Sequence, residues 1–260
     1  MKSAVKKYQK IKNCSYCDAP LDPDFYFCKV CSKPYKHMEA VISPQLSVHK
    51  SAETLVKEKA PGAYNVFWVY FTVILTLGLF SLAFSNDPSS FFLVNDVIFI
   101  GITVILSFIY WRYLKEQMSN IGFNKMAAYI GLILLLPCLL LNVTLAEFFN
   151  FLNNSESKSF LEEFDIDYLT AVIAICVIPG IFEEIGFRGI LQSQLLTAVS
   201  VKKSICISAF LFALVHFNIL NLPYLFVLGV LLGWVSWKTK SVYPSILIHF
   251  LHNFVVITYF

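Results

Sequence analysis

The sequence predicts an all-α protein: a polytopic bundle of transmembrane helices, roughly six to eight spans of about 20 apolar residues each, behind a small cysteine-bearing N-terminal region. Two observations predict it. The 260-residue chain is 57% hydrophobic, above the 45–50% typical of soluble domains, and its mean hydropathy is +0.67. Several apolar runs reach the length a bilayer demands. The net charge of +3 is too small to suggest a nucleic-acid partner.

In chain order, residues 1–35 form the first unit. Met1 to Lys12 is polar and lysine-rich, without the apolar stretch of a signal peptide. Cys14 and Cys17, then Cys28 and Cys31, make two C-x2-C knuckles ten residues apart. Four thiolates at this spacing suit a tetrahedral structural Zn²⁺, with every position filled by protein. A disulfide pairing is the alternative. Asp22-Pro23-Asp24 supplies a turn and Phe25-Tyr26-Phe27 a short strand. The unit resembles the zinc ribbons at the ends of many bacterial membrane proteins, although Asp18 and Ser32 stand where a glycine often follows the knuckle. Residues 36–63 read as a linker, punctuated by Pro44, Pro61 and Gly62, with one short charged helix at Ser51–Lys59.

Residues 64–260 are the membrane domain. Spans are expected at Tyr64–Phe84, Phe91–Tyr113, Ala127–Phe149, Tyr168–Phe187, Ile205–Phe217, Leu222–Trp237 and Ser241–Phe260, with Pro137 kinking the third. The segment 188–203 adds or removes a crossing. Asn95 and Asp96 fall near an interface. Cys138, Cys176 and Cys206 lie singly in apolar runs and read as small packing residues. Arg112, Lys115, Lys125, Lys202, Lys203, Lys238 and Lys240 gather on one side, while loops 85–90, 150–167 and 218–221 hold only Lys158. The positive-inside rule makes the first side, and the N-terminus with it, cytoplasmic. There a thiolate zinc site is favoured over a disulfide.

The chemistry is expected in three polar clusters on separate apolar segments. Glu183, Glu184 and Arg188 interrupt the fourth span. Each ionised group at membrane depth costs about 2.5–3.5 kcal/mol on insertion scales, so an intramembrane cluster is a functional-site candidate. Glu184 and Arg188 are four residues apart and share a helix face, while Glu183 is turned by roughly 100° and left free. A structural ion pair between helices is the alternative. His216 sits in the fifth span. His249 and Asn253 share a face of the last, and His252, close to that face, reads as an interfacial or packing histidine.

The motifs Glu183-Glu184-Ile-Gly-Phe-Arg188, Phe212-Ala-Leu-Val-His216 and His249-Phe-Leu-His-Asn253 resemble, in order, those of the CPBP intramembrane proteases. That family includes type II CAAX prenyl endopeptidases and bacteriocin-processing and self-immunity proteins. The resemblance covers roughly residues 165–260 and implies an eight-helix bundle that hydrolyses a peptide bond of a membrane-associated peptide or protein. Glu183 and His216 would activate a water, His249 and Asn253 would donate to the oxyanion, and Glu184 with Arg188 would position the first carboxylate. Glu183, His216 and His249 would also furnish a three-ligand catalytic zinc site, and the residues leave open whether a metal is used. A non-catalytic scaffold or immunity protein that keeps the fold is the alternative function. The small size and the ribbon point to a multi-pass protein of a bacterial cell membrane.

Overall fold

The computed structural model describes Asn13 and residues 60–83, 88–120, 124–153 and 166–259. The proposed ribbon with Cys14, Cys17, Cys28 and Cys31, nearly all of the 36–63 linker, and most of loops 85–90 and 150–167 lie outside the described residues. Among the described residues every element is a helix: α1 Pro61–Ala83, α2 Pro88–Ile109, α3 Trp111–Ser119, α4 Lys125–Asn153, α5 Tyr168–Leu195, α6 Val201–Leu214, α7 Leu222–Thr239 and α8 Tyr243–Tyr259.

Proline opens α1 and α2 at the position where its missing N–H costs nothing. Along α1, Ala63, Val66, Tyr70, Ile74 and Leu77 are buried at three- and four-residue steps, while Trp68, Leu75, Leu79 and Phe80 are exposed. An apolar exposed face of this kind suits lipid, so polarity does not mark which face packs. Asp167 caps α5: its carboxylate accepts from the Thr170 hydroxyl and backbone N–H, which hold it below the usual carboxylate range.

Among the described residues four helices are long and apolar enough to cross a membrane, α1, α4, α5 and α7, or five if the bent α2–α3 pair is one span. This is fewer than the sequence leads one to expect. At 1.5 Å per residue the 14-residue α6 is only about 21 Å long and the 17-residue α8 about 26 Å, against roughly 30 Å of hydrocarbon. The expected second span also breaks at Tyr110 and turns by 93° into α3, carrying Arg112 and Lys115 on the bent helix. Residues 188–195 continue α5 rather than forming a separate amphipathic element.

Helix α5 is the hub, packing on α1, α2, α3, α6, α7 and α8. It is not uniform: Val172–Val177 and Ile185–Gln192 are π-helical. A π-turn loosens the carbonyl ladder, and neighbouring side chains take up the released acceptors. Ser208 donates to the Phe187 carbonyl (3.0 Å), Ser204 to that of Gln192 (3.0 Å) and Ser193 to that of Arg188 (3.2 Å). Gly186 lets α5 approach α1 and α2, since a Cβ there would lie 2.7 Å from the Tyr70 hydroxyl and 3.0 Å from that of Thr103. Helix α7 is the second centre: 56% of it is buried, against 22% of an 18-residue apolar stretch of α4.

Candidate active site

Helix α5 brings the two glutamates and the arginine to the junction with α6, α7 and α8. The i,i+4 pair forms as the spacing leads one to expect. Arg188 Nη1 donates to Glu184 Oε1 at 2.7 Å, with both side chains fully buried. Nη2 donates to the Gly229 carbonyl of α7 at 3.2 Å, and the guanidinium carbon lies 4.4 Å from the Phe212 ring centre. The cation is thus held by a carboxylate, a carbonyl and an aromatic face.

Glu184 Oε1 also accepts from His249 Nδ1 at 3.0 Å. A carboxylate oxygen bonded to Arg188 can only accept here, so His249 carries a hydrogen on Nδ1 and its Nε2 faces away from Glu184. His216 Nδ1 donates to the Phe212 carbonyl at 2.7 Å, which likewise leaves Nε2 as its outward atom. Phe212 stands between the two imidazoles, 5.0 Å from His216 and 5.7 Å from His249. His216 is not inside a helix, contrary to the sequence reading. Helix α6 ends at Leu214, and His216 occupies the turn that follows, where Phe217 takes a positive φ of 50° and reverses the chain.

Glu183, offset from Glu184 as expected, is only partly buried. Its Oε2 is nonetheless shielded and has no hydrogen-bond partner among the described residues. The ionisable groups within electrostatic reach of it are His249, Asp96, Glu184 and Arg188. Asp96 of α2, read from the sequence as interfacial, is therefore a third carboxylate within electrostatic reach of the site.

Asn253 does not project freely. Its Nδ2 donates to the Ile175 carbonyl of α5 at 2.7 Å, and its Oδ1 accepts from His252 Nδ1 at 2.7 Å. His252, read as a packing residue, in turn contacts the Tyr224 hydroxyl of α7 through Nε2. Sequence reasoning missed Tyr224, which carries no motif. It also missed the Ile175 carbonyl, although there was a signal: the residue four positions on is Pro179, which has no N–H to offer it.

No group of three or more His, Cys, Asp or Glu side chains among the described residues converges to hold a metal. Glu183, His216 and His249 are of suitable donor types, but they are not gathered as a ligand set.

Residues 165–255 match the family model described as Type II CAAX prenyl endopeptidase Rce1-like. The match spans all three motifs and supports the CPBP family and, with it, a membrane protease of CAAX-endopeptidase type. No curated protein and no solved structure matches the chain.

Proposed function

We propose that the chain is an intramembrane endopeptidase that hydrolyses a peptide bond of a membrane-associated substrate with a water activated by Glu183 and His216. The observation that carries this reading is the shielded, unpartnered Oε2 of Glu183, next in the chain to Glu184, which holds the His249 imidazole through its Nδ1. Buried carboxylate oxygens without partners are uncommon and ask for an explanation. A substrate water supplies one.

In the proposed step, Glu183 takes a proton from the water while His216 Nε2 orients it. The water oxygen attacks the carbonyl carbon. The resulting oxyanion accepts from His249 Nε2–H and from the second N–H of the Asn253 amide, the first being spent on Ile175. Glu183 then passes its proton to the leaving nitrogen, the C–N bond breaks, and a carboxyl and an amine product separate. His249 can donate from Nε2 only as an imidazolium, because its Nδ1–H already serves Glu184.

A structural zinc at Cys14, Cys17, Cys28 and Cys31 belongs to the same proposal, as does a bacterial cell membrane with the N-terminus on the cytoplasmic side. The substrate is a membrane-anchored peptide, with a prenylated C-terminal segment the first to try. The test is mass spectrometry of an internally quenched farnesylated CAAX peptide and of an unmodified apolar leader-type peptide, each incubated with the full chain in proteoliposomes. Endoproteolysis of either is the expected result. Binding of both without any cleavage would favour the scaffold reading instead.

A further inference from the structure

We infer that His252, with Tyr224 behind it, is a positioning residue that holds the Asn253 amide with its second N–H directed at the oxyanion. The inference rests on the proposal that Asn253 is an oxyanion donor. It adds a residue at a position the third motif leaves unspecified, and a partner on a different helix.

The hydrogen bonds have only one consistent set of directions. The Ile175 carbonyl can only accept, so the group of Asn253 facing it at 2.7 Å is the amide nitrogen. The other end of the amide is then Oδ1, which can only accept, so His252 Nδ1 at 2.7 Å carries a hydrogen. A neutral His252 keeps its lone pair on Nε2, and the Tyr224 hydroxyl must donate to it. The chain therefore runs Tyr224, His252, Asn253, Ile175, with every atom in one role.

Both ends are anchored. The Ile175 carbonyl lies in the π-helical turn of α5, and the N–H an α-helix would have given it is missing at Pro179. Tyr224 is buried in the first turn of α7, and its ring centre is 5.6 Å from that of His252. His252 itself is buried, which rules out a snorkelling role at the membrane surface. Three helices thus fix one side-chain amide. With its nitrogen held by Ile175 alone, the amide could still swing about its last bond. Held at its oxygen by His252 as well, it keeps its second N–H in one direction and its oxygen away from a developing negative charge. That is a requirement of the reaction and not of the fold.

The experiment compares four variants on the farnesylated peptide in proteoliposomes: His252→Phe, His252→Asn, Asn253→Ala and the double variant His252→Phe/Asn253→Ala. Asn253→Ala should lower kcat by about 10²–10³, the usual loss for one oxyanion donor. His252→Phe should lower kcat about tenfold or more with KM unchanged. His252→Asn, whose amide nitrogen overlays Nδ1, should recover most of that loss. In the double variant His252→Phe should have no further effect, because it acts only through Asn253. Unchanged kcat in His252→Phe, or a loss that multiplies with that of Asn253→Ala, would overturn the inference while leaving the protease reading standing.

A second measurement does not need turnover. In ¹⁵N-histidine-labelled full-length protein, the resonance lost in His252→Asn should be that of a neutral imidazole protonated at Nδ1 and bare at Nε2. The opposite tautomer would overturn the inference even if no tested peptide is cleaved. Absence of all cleavage with the Nδ1–H tautomer present would instead count against the protease reading alone.

Discussion

Glu184→Gln should destabilise the protein more than any other single change in the first motif. The amide keeps the shape of the side chain but removes the charge that Arg188 Nη1 reaches at 2.7 Å. Both groups are fully buried, and stripping one partner from a buried pair costs about 3–5 kcal/mol, since the other is left uncompensated. Arg188 keeps the Gly229 carbonyl and the face of Phe212, and the latter is worth about 2 kcal/mol when desolvated. The lower end of the range, about 3 kcal/mol, is therefore expected. For a chain of this size that corresponds to roughly 6–12 °C in melting temperature. The reverse substitution, Arg188→Met, should cost less. A stranded carboxyl can take up a proton, whereas a stranded guanidinium cannot lose one. The double variant Glu184→Gln/Arg188→Met leaves no buried charge in the pair and should recover most of the loss. The assay is thermal unfolding in mild detergent, followed by fluorescence-detected size exclusion. A melting temperature for Glu184→Gln equal to wild type, or one above that of Arg188→Met, would refute the reasoning.

Three further expectations follow from separate parts of the chain. Purified protein should carry about one tightly bound zinc, lost in Cys14→Ser/Cys17→Ser, as the two knuckles require; a disulfide among the four cysteines in freshly prepared protein would contradict this. With the N-terminus inside, Ser155→Cys should react with an impermeant maleimide in intact cells (spheroplasts if there is an outer membrane) and Lys238→Cys should not; the reverse pattern would overturn the positive-inside argument. Gly229→Ala should lower stability by about 1–3 kcal/mol, despite about 1 kcal/mol gained in helix propensity. The new Cβ would lie 3.0 Å from the Ala209 Cα and 3.2 Å from its carbonyl oxygen, so α6 and α7 must separate and the carbonyl held by Arg188 must move. An unchanged melting temperature would show that the two helices yield freely there.

Much of the site was legible because its chemistry is local. The four-residue step from Glu184 to Arg188 fixes their pairing whatever the fold does, and Glu183 is set apart by the same geometry. The ordered motifs indicated which segments must meet. What escaped the sequence depends on partners from other helices. Nothing near His252 announces Tyr224, twenty-eight residues earlier on α7, and a lone histidine in an apolar run reads as packing until its neighbours are known. The bend after Ile109 escaped because Tyr110 and Trp111 extend the apolar run, and the packing of α3 on α5 is not recorded in the sequence. His216 was placed inside a span because apolar character runs past the end of α6, and composition does not record the positive φ at Phe217. The faces of α1 and α2 could not be assigned by polarity, since lipid and core both select apolar residues.

The most direct measurement for the central claim is turnover of Glu183→Gln on a peptide that the wild-type chain cleaves, with folding verified by an unchanged melting temperature. The glutamine preserves size and hydrogen bonding but cannot accept the proton of the attacking water. Loss of hydrolysis with the fold intact is the expected result. Wild-type turnover by Glu183→Gln would show that another group takes the proton and would contradict the account.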